Sequence, residues 1–270
     1  MSDTTALGDR MKRYEAAHRT VLPRSTYTIL RLDGRSFHTY LRDADKPFDM
    51  AFVADMAAVT EALCTEAAGA AIAYTQSDEI SLLLTDFATP TTEPWFGGVV
   101  AKQLSVSASL ATAVLNERRP GRRALFDARV FTMADPVEVA NYFLWRQRDA
   151  VRNSVAMAAQ AHFPHERLHR VSTGGMKGLL RSEKGVHWND YPDACKRGQV
   201  ATRATGERTV EYVDKRTRET MRTTAVRSWW EISGAPQFTA EPTGWLAGMI
   251  PDLPALSATG RWSGDGPGVV

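Results

Sequence analysis

Two acidic stretches stand against apolar runs in this chain. "TILRLDG" ends on Asp33 and Gly34, and "YTQSDEISLLL" carries Asp78 and Glu79 ahead of four aliphatic positions. Carboxylates flanking buried-type strands need a partner. Magnesium is one candidate: a hard cation that takes oxygen ligands, one or two protein carboxylates, and completes its shell with water and substrate phosphates. Two such ions can activate an attacking oxygen and stabilise a departing pyrophosphate together. Gly34 has no Cβ, so its backbone can approach a ligand closely. Arg35, His38 and Lys46 follow as donors suited to a triphosphate. Asp-Gly and Ser-Asp-Glu are also common turn sequences, so spacing by itself leaves the turn and metal readings both open.

The surrounding elements decide whether the acids can meet. "STYTILRLDGRSF" (25–37) alternates as a strand that runs into a turn at Asp33. The stretch 47–69 has Phe52, Met56, Val59 and Leu63 at helical spacing and stops at Gly69. Two short strands, 70–75 and 79–86, flank Gln76-Ser77, and helix 99–119 closes at Pro120-Gly121. A strand at 124–133 leads to a long helix, 135–163, with Asp135 as N-cap and Pro136 at its first position. The order β-α-β-β-α-β predicts an α+β, ferredoxin-like sheet. Its two central strands are the first and third and run antiparallel. Asp33, ending one, therefore falls beside Asp78, starting the other.

Composition narrows the class. The chain has 270 residues, 43% hydrophobic and 24% charged, as expected of a globular protein with a real core. No apolar run approaches the roughly 18 residues of a membrane span, and the N-terminus lacks the apolar segment of a secretory signal. A cytoplasmic protein without membrane partners is the expectation. Cys64 and Cys195 alone make neither a disulfide framework nor a thiolate metal site. Between Lys196 and Arg227 nine Lys or Arg face four acids, while the whole chain is only +2. A basic segment on a mildly acidic body suits a phosphate-rich partner such as RNA; a solvated hairpin face is the other reading. The chain divides on pattern into a catalytic-type unit, 1–165, and a basic C-terminal extension, 166–270. The extension reads as loop-rich with one short helix at most, then one or two β-hairpins over 197–230, then an irregular tail from Gly234. In "WRQRDAVRNS", Trp145, Asp149 and Arg152 share one helix face, and Arg146 and Asn153 the next. An Asp149–Arg152 pair locking the helix to the sheet is the expected use.

"LRLDGRSFH", "KPFD", "YTQSDEISLLL", "FDARVFTM" and "NYFLWRQRDAVRN" together resemble the tRNA-His guanylyltransferase family in order, spacing and wording. The resemblance is close over about 7–163, and "MKGLLRSEKGVHW" and "KRGQV" are similar to the family's C-terminal part. It implies a polymerase-type palm that adds nucleotides, mainly G, to the 5′ end of tRNA in the 3′→5′ direction. It also implies two magnesium ions held by Asp33, Asp78 and the carbonyl of Gly34, with Glu79 completing the catalytic acids. Arg35, Phe37, His38, Lys46, Asp49, Ser77 and Lys102 match positions lining the nucleotide and triphosphate sites. The resemblance implies a sequence in which a nucleoside triphosphate, usually ATP, activates a 5′-monophosphate as an adenylyl end, the 3′-hydroxyl of GTP attacks it, and pyrophosphate is then removed. A homotetramer is implied as well.

Two positions depart from the pattern. Val151-Arg152-Asn153-Ser154 stands where the eukaryotic enzymes carry a His-Ile-Asn-Asn-type sequence, which matches the "like" branch that repairs truncated 5′ ends against a template. Val99 replaces an arginine three residues before Lys102, which bears on triphosphate affinity. A palm-type nucleotide cyclase and a non-catalytic RNA-binding palm are the competing readings. The first leaves "WRQ" unexplained, and the second leaves Asp33, Asp78 and Glu79 without a use. Trp229 and Trp230 are expected in core packing, and His162, His165 and His169 at a solvated helix end.

Overall fold

The computed structural model describes residues 5–239 and 244–254. Helix α1 (Ala6–Ala16) precedes strand β1 (Tyr27–Gly34). The short α2 (Phe37–Tyr40) and α3 (Met50–Glu66) follow. Strands β2 (Ala70–Gln76) and β3 (Glu79–Leu84) form a tight hairpin. Next come α4 (Val100–Arg118), β4 (Phe126–Met133) and the long α5 (Pro136–Gln160). The strand pairings are antiparallel in the order β4-β1-β3-β2, the order expected of the β-α-β-β-α-β sequence.

All six residues of β3 are buried, which is why "EISLLL" shows an unbroken apolar run after its glutamate. A central strand covered on both faces has no solvent side to mark with polar residues. On one face Leu30, Leu32, Ile80 and Leu82 pack on Phe52, Met56, Val59 and Leu63 of α3 and on Ala111 and Leu115 of α4. On the other, Tyr27, Ile29, Ile72 and Leu83 pack on Val139, Tyr142 and Phe143 of α5. Asp49 caps α3 by accepting from the Phe52 N–H at 2.8 Å, and Asp135 caps α5 by accepting from Val137 at the same distance. At Gly69, φ is +81° and a Cβ would lie 2.1 Å from the Thr85 carbonyl oxygen, so only glycine fits between α3 and β2.

The C-terminal half departs from expectation. After α6 (His165–Leu168), α7 (Thr173–Lys184) is a twelve-residue helix capped by Ser172 and ended by Gly185 in the left-handed region. The glycines of "TGGMKG" disguise it, since each disfavours a helix interior. Packing against Val155, Ala158 and Ala159 of α5 through Leu180 overrides that cost. Helix α1 was not legible either: apart from Gly8 its residues are exposed or nearly so, leaving no apolar stripe to read. Beyond α8 (Asp193–Arg197) lies a single long hairpin, β5 (Gln199–Val213) and β6 (Thr220–Gly234). Its base adds to the free edge of β2 through the pairs Ala73–Ala201, Tyr74–Val200 and Thr75–Gln199. The sheet therefore has six strands, β4-β1-β3-β2-β5-β6. Ala201 and Trp230 enter one core, and Val200, Phe238, Leu246 and Ile250 the other. The division at 165/166 is thus no break in packing, because β2 would otherwise leave its polar edge unpaired. Of the tail, 244–254 includes the short α9 (Trp245–Met249); the reading of an irregular end falls on 255–270, outside the described residues.

Candidate active site

The register of β1 and β3 sets Asp33 directly opposite Glu79, and the Gly34 N–H donates to the Asp78 carbonyl at 3.2 Å. Asp78 occupies the two-residue turn between β2 and β3, behind Ser77, whose φ of +50° is left-handed. Such a conformation costs a non-glycine residue about 1–2 kcal/mol and clusters at functional sites. The Ser77 hydroxyl donates to Asp78 Oδ1 at 3.0 Å. A Cβ at Gly34 would lie 2.4 Å from the Phe37 ring, so the glycine is fixed by packing as well as by the turn.

The three acids have different surroundings. Glu79 is 4% exposed and its carboxylate is fully engaged: Arg146 reaches both oxygens at 2.6 Å, and Arg31 donates at 2.6 Å. Arg146, itself 4% exposed, is held charged above its ordinary pKa; burial opposes this, and Glu79 with Asp149 outweighs it. Asp33 is half-exposed, its nearest guanidinium being Arg31 at 4.0 Å. Burial pushes the Asp78 carboxyl up to about 6, with the charges of Asp33 and Glu79 adding to the shift and the Ser77 hydroxyl opposing it. Asp78 has no ion-pair partner among the described residues. Arg31 is shared, bound to Glu79 at 2.6 Å and only 4.0 Å from Asp33, so Asp33 and Asp78 leave negative charge only partly compensated at one end of the sheet.

That donor set fits a magnesium ion. Among the described residues no group of three His, Cys, Asp or Glu side chains converges as a metal cage. Magnesium does not require one, since it is held through one or two carboxylates with waters and phosphates completing the octahedron.

The remaining expected residues fall into separate places. Lys46, Asp49 and Ser77 line one open-mouthed cleft of about 80 Å³, with Phe52, Gln76 and Asn153. Asp49 is also committed to capping α3 and to Arg119 at 3.3 Å; burial raises its carboxyl, but the Phe52 N–H and then Arg119 outweigh this and hold it below the ordinary value. Arg35 and His38 are exposed just past β1. Phe37 is a core residue, packed on Phe52, Phe126 and Tyr40, and it props the Gly34 turn from beneath. Lys102 lies on the first turn of α4, in the helical layer across the sheet from α5, its amine 5.9 Å from the Phe96 ring centre. Val99, the N-cap of α4, is buried.

Three positions beside the acids were not singled out. Arg31 precedes Asp33 by two, so strand alternation puts both on one face. Asp127 and Arg129 of β4 lie directly opposite Asp33 and Arg31. The lock between α5 and the sheet is Arg146–Glu79, not Asp149–Arg152: Arg152 is exposed and pairs with Asp149 at the surface, while Asp149 also accepts from Arg146 at 3.0 Å. Trp230 is buried as expected; Trp229 is only half-buried beneath Arg208, whose guanidinium carbon lies 3.6 Å from the ring centre.

Comparison with known proteins places the chain in a family. Residues 8–134 match the family model described as tRNAHis guanylyltransferase. A bacterial tRNA(His) guanylyltransferase-like protein solved in complex with ATP is 37% identical, covers 91% of this chain and 99% of its own, and superposes with a TM-score of 0.77. A bacterial protein of the same description solved with GTP is also 37% identical, covering 86% and 94%, with a TM-score of 0.69. The tRNA(His) guanylyltransferase of Schizosaccharomyces pombe is 24% identical over 70% of this chain and 77% of its own. The chain belongs to the tRNA-His guanylyltransferase family and is a nucleotidyltransferase of that type.

Proposed function

We propose that the protein is a magnesium-dependent enzyme that adds nucleotides, chiefly G, to the 5′ end of tRNA in the 3′→5′ direction, with ATP and GTP as substrates. The observation that carries the reading is the only partly compensated Asp33–Asp78 pair, joined through the Gly34–Asp78 backbone bond at one end of the sheet. Asp33, Asp78 and the Gly34 carbonyl would hold two magnesium ions, which when bound neutralise charge on the reacting phosphates.

The chain's own side chains supply binding and orientation. Lys46 and Ser77 both border the cleft and meet a triphosphate there, with Arg35, His38 and Lys102 as further cations and donors. Asp49 shapes the cleft wall through its cap and Arg119, and Phe37 holds the Gly34 turn in place. Glu79 acts as a positioning residue: its oxygens are occupied by Arg31 and Arg146, so it fixes β3, and with it Asp78, against α5. In the first step the tRNA 5′-phosphate attacks the α-phosphorus of ATP and pyrophosphate leaves. In the second the 3′-hydroxyl of GTP attacks the activated 5′-phosphorus and AMP leaves. Hydrolysis of the new 5′-triphosphate then releases pyrophosphate. Holding the partners in line and stabilising charge on the transferring phosphate supply most of the catalysis in such transfers.

Val151, where the eukaryotic pattern has histidine, favours repair of truncated 5′ ends against a template base. A homotetramer working in the cytoplasm completes the proposal; light scattering reads the assembly directly. The test is a 5′-extension assay with magnesium, ATP and GTP on two monophosphorylated substrates. One is full-length tRNA-His with A opposite the added position; the other lacks its first nucleotide and has C opposite the gap. Extension of the truncated tRNA alone is expected. Addition opposite A would make the enzyme a guanylyltransferase of tRNA-His despite Val151, and extension of neither, with tRNA still bound, would leave a non-catalytic RNA-binding palm.

A further inference from the structure

Behind α5, away from the acidic pair, lies a second and larger cleft of about 870 Å³. Its floor is the outer face of α5, where Gln147, Arg148 and Val151 follow one another at helical spacing, and its far walls are α7 and the segment around Phe238. Arg148, Lys177 and Arg197 line it, and no Asp or Glu does so among the described residues. Arg197 is tied to Asp193 at 2.6 Å and to the Ala235 carbonyl, which fixes its place. Arg148 and Lys177 have no carboxylate partner among the described residues. Lys177 instead sits 3.5 Å from the ring centre of Trp188, a buried indole held by the Ser154 hydroxyl at 3.2 Å. Burial, and then the nearby Lys196, lower the pKa of that amine, a cost to its charged form that an anion bound against it would offset.

Unpaired cations held in a concave, partly desolvated wall attract anions more strongly than the same charges spread on a convex surface. The polar lining of Asn189, Gln237 and Thr239 offers further hydrogen bonds without adding negative charge, while the buried Gln147 amide is committed to the Pro236 carbonyl and the Phe238 N–H. We propose that this cleft is a phosphate-binding site for the RNA backbone, with Arg148 and Lys177 as its principal contacts, separate from the cleft at Ser77. The proposal rests on tRNA being the substrate, as argued above. The same phosphate chemistry is offered by a free nucleotide, and the two sources separate by experiment.

The experiment uses full-length protein and compares wild type with Arg148→Glu and with Arg148→Ala/Lys177→Met, methionine keeping an apolar stem over Trp188. Affinity for tRNA is measured across a salt series, and ATP affinity in parallel. Arg148 is exposed and makes no ion pair among the described residues, so Arg148→Glu folds with an unchanged melting temperature and keeps the test valid even if the double variant unfolds. The expected result is a roughly tenfold weaker tRNA affinity, with the log–log salt slope of the double variant smaller by about 1.4 to 1.8, since each phosphate contact contributes about 0.7–0.9. ATP affinity and turnover at saturating tRNA stay at the wild-type values, and Arg148→Lys restores most of the lost affinity. Unchanged tRNA affinity and slope in folded variants would overturn the site, and a selective loss of ATP affinity would reassign it to a free nucleotide. Wild type that binds no tRNA would overturn the substrate assignment itself.

Discussion

At the scale of single residues, the site turns on carboxylates of the same type in unlike surroundings. Asp78 has a carboxyl near 6 where the unperturbed group has 3.8, so the folded protein holds that proton more tightly than the unfolded chain. Stability from this group is present below the unfolded value and is lost as pH rises from about 4 through about 6. Above that range the ionised, buried carboxylate costs on the order of 2 kcal/mol in metal-free protein. Thermal melts in chelator are therefore expected to coincide for wild type and Asp78→Asn at pH 4, with the variant more stable by several degrees at pH 7.5. Magnesium should raise only the wild-type melting temperature at pH 7.5; a wild-type advantage in chelator would mean the carboxylate is compensated by the protein. The acids themselves were legible, because a charged residue in an apolar strand is conspicuous in any sequence. Arg31 was less so: its role emerges only when Glu79 is placed beside it on the neighbouring strand.

At the scale of elements, the clasp between α5 and the sheet is the buried pair Arg146–Glu79 with Arg31 on its far side. Removing one partner strands buried charge, at about 3–5 kcal/mol. Glu79→Gln is expected to lower stability by roughly that amount and to slow turnover, whereas Arg152→Ala, breaking only a surface pair, changes stability by less than about 0.5 kcal/mol. Chemical denaturation checks both; equal losses would place the lock at Asp149–Arg152 after all. The helical face of "WRQRDAVRNS" was readable from spacing, but which arginine turns inward was not. Arg146 and Arg152 are chemically identical, and only the position of Glu79 on β3 distinguishes them. The boundaries of α3, α4 and α5 were legible because their caps and stops are local. Helix α7 was hidden because its stability comes from packing on α5 rather than from its own glycine-rich sequence.

At the scale of the whole molecule, the basic segment became one long hairpin whose base is the last part of the sheet and whose far end stands in solvent. From Gly206 to Arg227 its residues are mostly exposed, including Tyr212, Val213, Met221 and Val226. Deleting 206–227 and closing the arm with a short turn should leave the melting temperature within a few degrees, since little core is lost. Affinity for tRNA is expected to fall about tenfold at low salt, with a shallower salt dependence. An unaltered affinity would assign the charge to a solvated face. Sequence alone suggested the hairpin's charge and pattern, but not that it would complete the sheet. That depends on β2 having a free edge, a property of the fold rather than of residues 197–230.

The most direct test of the two-carboxylate site is single-turnover adenylylation of a 5′-monophosphorylated truncated tRNA by wild type, Asp33→Asn and Asp78→Asn, with and without magnesium. Wild type should react only with magnesium. Each variant should lose at least about a thousandfold in rate, the scale expected when preorganised charge stabilisation is removed, while tRNA affinity stays within a few-fold. Near-normal turnover by either variant would contradict the assignment of Asp33 and Asp78 as the metal-holding pair.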